Sequence, residues 1–229
     1  MRWYMDWTYI LVLIGAIISA VASWNVNSTF RKYRKVRNSR GMTAEMAAQM
    51  ILQDAGVYDV RIEHIGGNLT DHYSLNEKVL RLSDSVYGSA SVAAIGVAAH
   101  ECGHALQHAK GYAPLKLRSM AVPLANIGSR LSWPLMVLGL VLGWSGLLYT
   151  GIVLFTAVVF FQLITLPVEL DASHRALRIL GNRNMLYGNE LGAAKKVLTA
   201  AALTYVAALF SAILQLLRLI LLANNRRRN

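Results

Sequence analysis

From Trp133 to Leu166 the chain is almost wholly apolar, and no other feature limits its fold as much. A bilayer-spanning helix needs about 20 residues, so this run is too long for one crossing. Gly143 to Gly151 (GWSGLLYTG) offers a turn, and the run reads as a tight transmembrane hairpin. An earlier run, Tyr9 to Trp24, is long enough to cross once and is bracketed by Trp3, Trp7 and Trp24, residues suited to membrane interfaces. Arg2 is balanced by Asp6, and Trp24-Asn25 is a poor cleavage site, so this run reads as an uncleaved anchor rather than a signal peptide. The last run, Val197 to Ala223, carries Thr204, Ser211, Gln215 and Arg218, which share one helical face. That stripe suits a span facing a bundle or a helix lying in the interface, and the reading leans to a span.

Charge supports a membrane setting. The net charge is +11, yet the chain is 55% hydrophobic and its cations gather beside apolar runs. They read as topology signals and contacts to anionic lipid, not as a nucleic-acid surface. Arg31, Lys32, Arg34, Lys35, Arg37 and Arg40 follow the first span directly and place that side in the cytoplasm. The tail Arg226-Arg227-Arg228 lies outside if the last run spans, and inside if it lies flat. A single cysteine, Cys102, permits no internal disulfide, which fits a cytosol-facing domain.

Between the first two apolar runs lies a segment of mixed pattern. Thr43 to Ala55 reads as a short helix, with Thr43 as N-cap and Gly56 as C-terminal stop. Val60 to Ile65 and Val79 to Ser83 read as strands, with turns at Gly66-Gly67-Asn68 and Asn76-Glu77-Lys78. Asp71-His72-Tyr73 falls in the loop between them. Ser89 or Ser91 opens a further helix that runs to Gly111, and Pro167 suits the first turn of another. The expected fold is mainly α and integral to the membrane, with a small α+β domain containing a short antiparallel sheet. The divisions are an anchor at 8–26, a cytoplasmic domain at 27–131, a hairpin at 132–166, a helix and loop at 167–196, and a transmembrane or interfacial helix at 197–223.

The helix over about 89–110 contains His100-Glu101-x-x-His104. At about 100° per residue the two histidines lie on one face, one turn apart, and can hold one zinc ion. Glu101 then sits beside the metal, where it can take a proton from the attacking water and pass it to a leaving amine. Catalytic zinc wants a third protein ligand and an open position. His108 stands about 12 Å along the axis from His100 and cannot share the ion. A metzincin would place its third histidine at position 110, which is Lys110. Glu169 is the stronger candidate, on a helix following the hairpin; Asp171 and His174 remain alternatives on that helix. Asp171 is otherwise available to hold a histidine in its ligating tautomer. His64 alternates with apolar neighbours and reads as structural, and Cys102 as packing.

NLTDHY (Asn68 to Tyr73), VAAHECGHALQ (Val97 to Gln107), GYAPLKLRS (Gly111 to Ser119) and TLPVELDAS (Thr165 to Ser173) resemble the YugP-type bacterial neutral zinc metallopeptidases. The resemblance covers nearly the whole chain. More distantly the chain is similar to the membrane gluzincins of the HtpX and CAAX-prenyl-protease group, whose pattern is His-Glu-x-x-His, a membrane insertion, then Glu-x-x-Ala-Asp. That resemblance implies one Zn2+ per chain held by His100, His104 and Glu169, with Glu101 as general base. Ser173 stands where the group has Asp. A gluzincin also needs a His or Tyr to stabilise the oxyanion, for which His72, Tyr73 and His174 are candidates. The expected protein is a membrane zinc endopeptidase of the bacterial cell membrane, multi-pass, with its catalytic domain cytoplasmic and a peptide or protein substrate, membrane proteins included. The rival readings are an intramembrane protease and a non-catalytic zinc-binding scaffold.

Overall fold

The structure, a computed structural model, describes the backbone of residues 7–227 and side chains through Asn224. Arg2, Trp3, Asp6 and the side chains of Arg226-Arg227-Arg228 lie outside the described residues. The elements are α1 (Tyr9–Tyr33), α2 (Ala44–Asp54), β1 (Arg61–Ile65), β2 (His72–Ser74), β3 (Val79–Ser83), α3 (Val92–Ala109), α4 (Ala113–Val141), α5 (Ser145–Asn182) and α6 (Asn189–Arg227). Helices α1, α4, α5 and α6 are each long and apolar enough to cross a membrane. The chain is a mainly α membrane protein with a small α+β part, and it divides into two compact units.

One unit comprises Met1–Ser23, Leu117–Leu166 and Thr204–Asn229. Its helices pack through small residues. A Cβ on Gly128 or Gly139 would lie 2.6 Å from the backbone of Leu154 or Leu148, so α4 and α5 approach as closely as glycine allows. Ser211 of α6 donates to the carbonyl of Gly15 at 2.8 Å and meets Ser19 Oγ at 2.9 Å, and the Arg218 guanidinium lies 4.1 Å over the Tyr9 ring. Ser211 and Arg218 of the α6 stripe thus face α1, and the paired positions show the two helices running antiparallel. The turn between α4 and α5 is confined to Leu142–Trp144, and Gly151 belongs to α5.

The other unit comprises Trp24–Lys116 and Pro167–Leu203. Its core is built around α3, whose small residues Ala94, Ala98 and Ala99 and whose Ile95 are fully buried with Ile51 and Leu52 of α2 and Leu80 and Leu82 of β3. Helix α2 ends as Gly56 suggests. Gly56 takes φ +71°, its N–H bonds the Gln53 carbonyl at 3.0 Å, and Val57 N–H bonds the Leu52 carbonyl at 2.9 Å. Thr43 holds the N-cap position but makes no side-chain cap bond.

Three features differ from the sequence reading. The sheet is mixed rather than antiparallel, in the order β1-β3-β2, with β1 parallel and β2 antiparallel to β3. β3 is the strand buried along nearly its whole length, so it takes the centre, and β1, with Arg61 and His64 exposed, takes an edge. Gly66 to Lys78 provide the long connection that parallel pairing needs. Second, His72 and Tyr73 lie in β2, not in a loop. Third, α5 runs unbroken through Pro167, so that proline opens no new helix, and α4 continues past the expected boundary at 131. A proline inside a helix removes one backbone bond, a loss that adjacent helices of a bundle can make good.

Candidate metal centre

Helix α3 starts where Ser91 Oγ accepts the Ala94 N–H at 3.2 Å. It stops at Gly111, whose φ of +64° lets Tyr112 N–H return to the Gln107 carbonyl at 2.9 Å. Between these ends His100 and His104 stand one turn apart with ring centroids 4.8 Å apart. Helix α5 crosses this face at Gly103, because only a residue without Cβ admits the Ala172 carbonyl there. The crossing brings Glu169, 2% exposed, onto both imidazoles: its Oε2 lies 3.2 Å from His100 Nε2 and 3.5 Å from His104 Nε2.

These three residues form a group whose ligand atoms all lie within 4.8 Å of one another. Zinc bonds of about 2.0–2.1 Å at tetrahedral angles separate ligand atoms by about 3.4 Å, close to the two distances found. The second nitrogen of each ring is taken. His104 Nδ1 meets Gln107 Oε1 at 3.0 Å, and Gln107 Nε2 donates to the Val168 carbonyl and to Asp171 Oδ2, each at 2.8 Å. Both Nε2 partners are acceptors, so the amide cannot be flipped, and Oε1 must receive a proton from His104 Nδ1. His100 Nδ1 meets Ser173 Oγ at 3.0 Å. With Nδ1 of His104 protonated, its Nε2 lone pair faces a buried carboxylate, and His100 Nε2 faces the same oxygen. A cation is what makes that convergence favourable, and the donor set of two imidazoles and one carboxylate is one zinc accepts.

Glu101 lies on the same helix, buried, with Oε2 accepting the Tyr73 backbone N–H at 2.9 Å. Burial pushes its carboxyl above the ordinary carboxylate range, against the opposing pull of His100 and His104. Because Tyr73 directs its N–H to Glu101 rather than to β3, the edge of β2 away from β3 runs beside Glu101.

Of the other residues the sequence singled out, Asp171 reaches His104 through Gln107 and is paired with Arg175 at 2.5 Å. Tyr73 directs its hydroxyl to His108 Nδ1 at 2.9 Å, and burial, reinforced by Asp59, pushes the phenol up to about 12. His72 is exposed, with Nδ1 on the Thr70 carbonyl at 2.9 Å. His174 is also exposed and accepts from Arg178 at 2.8 Å. Neither histidine joins the cluster. Arg81 pairs with Glu63 and Glu77, and His64 with Asp84 at 2.8 Å. Gln107 and Gly103 were not singled out from sequence, and Ser173, noted only as standing where an Asp was expected, is the partner of His100. Gln107 is fully buried, and its position three residues after His104 is the one signal that placed it.

Known proteins give the same direction. Residues 8–224 match the family model described as "Putative neutral zinc metallopeptidase". The chain is 46% identical over 220 residues to "Putative membrane protease YugP" of Bacillus subtilis (strain 168), covering 96% of this chain and 98% of that protein. No solved structure matches it. A cluster of two histidines and a glutamate on crossing helices, in a chain matched over nearly its full length, places this protein in the neutral zinc metallopeptidase family.

Proposed function

We propose that the protein is a membrane-bound zinc endopeptidase in which His100, His104 and Glu169 hold one zinc ion per chain and Glu101 is the general base. The observation that carries this is the meeting of Glu169 with both Nε2 atoms directly beside a buried Glu101. Zinc, when bound, polarises the scissile carbonyl and acidifies the attacking water. Glu101 takes the proton of that water on a carboxylate oxygen and delivers it to the departing amine nitrogen. The Tyr73 N–H holds Oε2, which leaves Oε1 for this transfer. Burial raises the affinity of Glu101 for a proton, which suits a group that must both accept and return one. An extended substrate lies along the outer side of β2, which brings its backbone past Glu101. A cleft of about 310 Å³ bounded by Val57, Val60, Tyr73, Ala105 and His108, with the Asp59–Lys78 ion pair also in its lining, receives one of its side chains.

Helices α1, α4, α5 and α6 cross the membrane, and the basic segment Arg31 to Arg40 keeps the catalytic unit cytoplasmic. Because α6 runs antiparallel to α1, it leads the C-terminus back to the side where the chain began. Two observations weigh against the rival readings. Helix α3 is packed against α2 and the sheet, and carries Glu101, Gln107 and His108, which suits a water-facing domain rather than the bilayer interior. The exposed His174 supplies no fourth ligand, so the open position that catalysis needs is kept among the described residues.

The test is zinc content and casein hydrolysis measured together on detergent-purified wild type, Glu101→Gln and Glu169→Ala. The expected result is one zinc in wild type and in Glu101→Gln, little in Glu169→Ala, and hydrolysis in wild type alone. Hydrolysis by Glu101→Gln at the wild-type rate sinks the mechanism. Stoichiometric zinc with no hydrolysis by wild type favours the scaffold.

A further inference from the structure

Apart from the metal centre, the same unit contains an open cleft of about 680 Å³ between the C-terminal end of α1 and the N-terminal part of α6. Thr29 and Lys32 line it from α1, and Lys195, Lys196, Thr199 and Leu203 from α6. The spacing on α6 puts its residues on one helical face. Three lysines therefore converge on one concavity, and no acidic residue lines it. Several cations elsewhere in this unit are paired: Lys78 with Asp59, Arg81 with Glu63 and Glu77, Arg175 with Asp171, Arg183 with Asp54. Lys195 and Lys196 have no such partner among the described residues, and Lys32 lies 5.5 Å over the Tyr33 ring. All three lysines are exposed, and no carboxylate lines the cleft to offset their charge.

We infer that this cleft is a binding site for a phosphate group, the ammonium groups of Lys32, Lys195 and Lys196 supplying charge and the hydroxyls of Thr29 and Thr199 supplying hydrogen bonds. Lysine binds phosphate as a point charge and needs no bidentate geometry. The volume exceeds what inorganic phosphate fills and suits a phosphodiester with its glycerol. Leu203, 46% exposed at one end, offers apolar contact to whatever chain the phosphate carries. The exposed Trp24 sits five residues before Thr29, about 7.5 Å along the helix, the depth of a headgroup layer beyond an interfacial tryptophan. Basic pockets between helices on the cytoplasmic side take anionic headgroups for these reasons. The phosphate can therefore come from an anionic lipid or from a soluble ester.

The experiment is a thermal-unfolding titration of the full chain in a neutral detergent, with short-chain phosphatidylglycerol, short-chain phosphatidylcholine and inorganic phosphate as separate probes. Wild type should rise in Tm with phosphatidylglycerol and not with phosphatidylcholine. Lys195→Gln/Lys196→Gln should need about tenfold more phosphatidylglycerol for the same shift. Arg34→Gln/Lys35→Gln, which removes two exposed cations outside the cleft, should match wild type. Thr199→Asp, an exposed change that puts a carboxylate among the lysines, should abolish the shift even if the lysine variant folds poorly. Saturation by phosphatidylglycerol well below the inorganic phosphate midpoint identifies a lipid headgroup; equal midpoints, both lost in Lys195→Gln/Lys196→Gln, identify a soluble phosphate. Equal responses to the two lipids, or equal losses in the two double variants, overturn the proposal.

Discussion

Gly103 lies between the two histidines and is the point where α5 presses on α3, so Gly103→Ala tests the metal centre without touching a ligand. A Cβ there would lie 2.5 Å from the Ala172 carbonyl oxygen and 3.1 Å from the Ala172 Cα. Ordinary contact begins near 3.4 Å, so the two backbones must part by about 0.9 Å. Glu169 stands one turn before Ala172 and Ser173 directly after it, so both withdraw from the imidazoles with it. Metal sites hold ligand distances to about 0.2 Å, and a 1 Å misplacement costs about a hundredfold in rate. Hydrolysis should fall by about that factor, with zinc lost on dialysis against a weak chelator. Overpacking costs about 1–3 kcal/mol, and alanine returns about 1 kcal/mol of helix propensity, so the chain should stay folded. Far-ultraviolet circular dichroism and Tm check this. Gly96→Ala is the control on the same helix, because its Cβ meets Ala194 Cβ at 3.4 Å, and it should keep wild-type zinc and activity. Gly103→Ala with full zinc and wild-type hydrolysis would refute the claim that this contact sets the ligand geometry.

Gln107→Leu keeps volume but removes the acceptor of His104 Nδ1 and both amide donations, and should weaken zinc affinity about 10–100-fold in chelator competition. Tyr73→Phe leaves the backbone N–H on Glu101 and removes the hydroxyl bonded to His108, so kcat should fall less than about tenfold; a loss of about 100–1000-fold would assign that hydroxyl to the oxyanion instead. Cys102 is fully buried and its thiol is pushed up by burial, so a maleimide at pH 8 should leave the native chain unlabelled and label it fully in dodecyl sulfate; native labelling would contradict the packing of α3 on α2.

Features set by local chemistry were legible before the structure. Hydrophobic run length marks α1 and the α4–α5 hairpin. A glycine forced to positive φ marks the ends of α2 and α3, and apolar alternation marks β3 from Val79 to Ser83. His100, Glu101 and His104 are legible for the same reason, since one helical turn fixes their relation. Features set by competition between distant partners were not. Two strands close in sequence suggest a hairpin, but β3 takes the centre because it has the most apolar surface to bury, and β1 is driven to the far edge. Pro167 suggests a helix start only while its neighbours are ignored.

The support around the ligands shows the same limit more sharply. A family pattern that expects a carboxylate at position 173 makes Ser173 look like a loss. The carboxylate stands instead at Asp171, on a different face of α5, and no helical period read along α5 alone connects it to a histidine. The connection runs through Gln107, 64 residues away, whose two amide protons are spent on Val168 and Asp171 so that its oxygen is left for His104. Asp171 therefore orients an amide rather than an imidazole, and the imidazole is oriented by a neutral acceptor. His100 likewise meets a hydroxyl and not a carboxylate. Carboxylate partners raise the basicity of ligating histidines. If the two rings hold a metal, neutral partners on both leave Glu169 as the anionic member of the cluster, with Glu101 a separate buried carboxylate beside it. That division of roles depends on which oxygen faces which nitrogen, a property of the crossing at Gly103 that spacing along the chain does not encode.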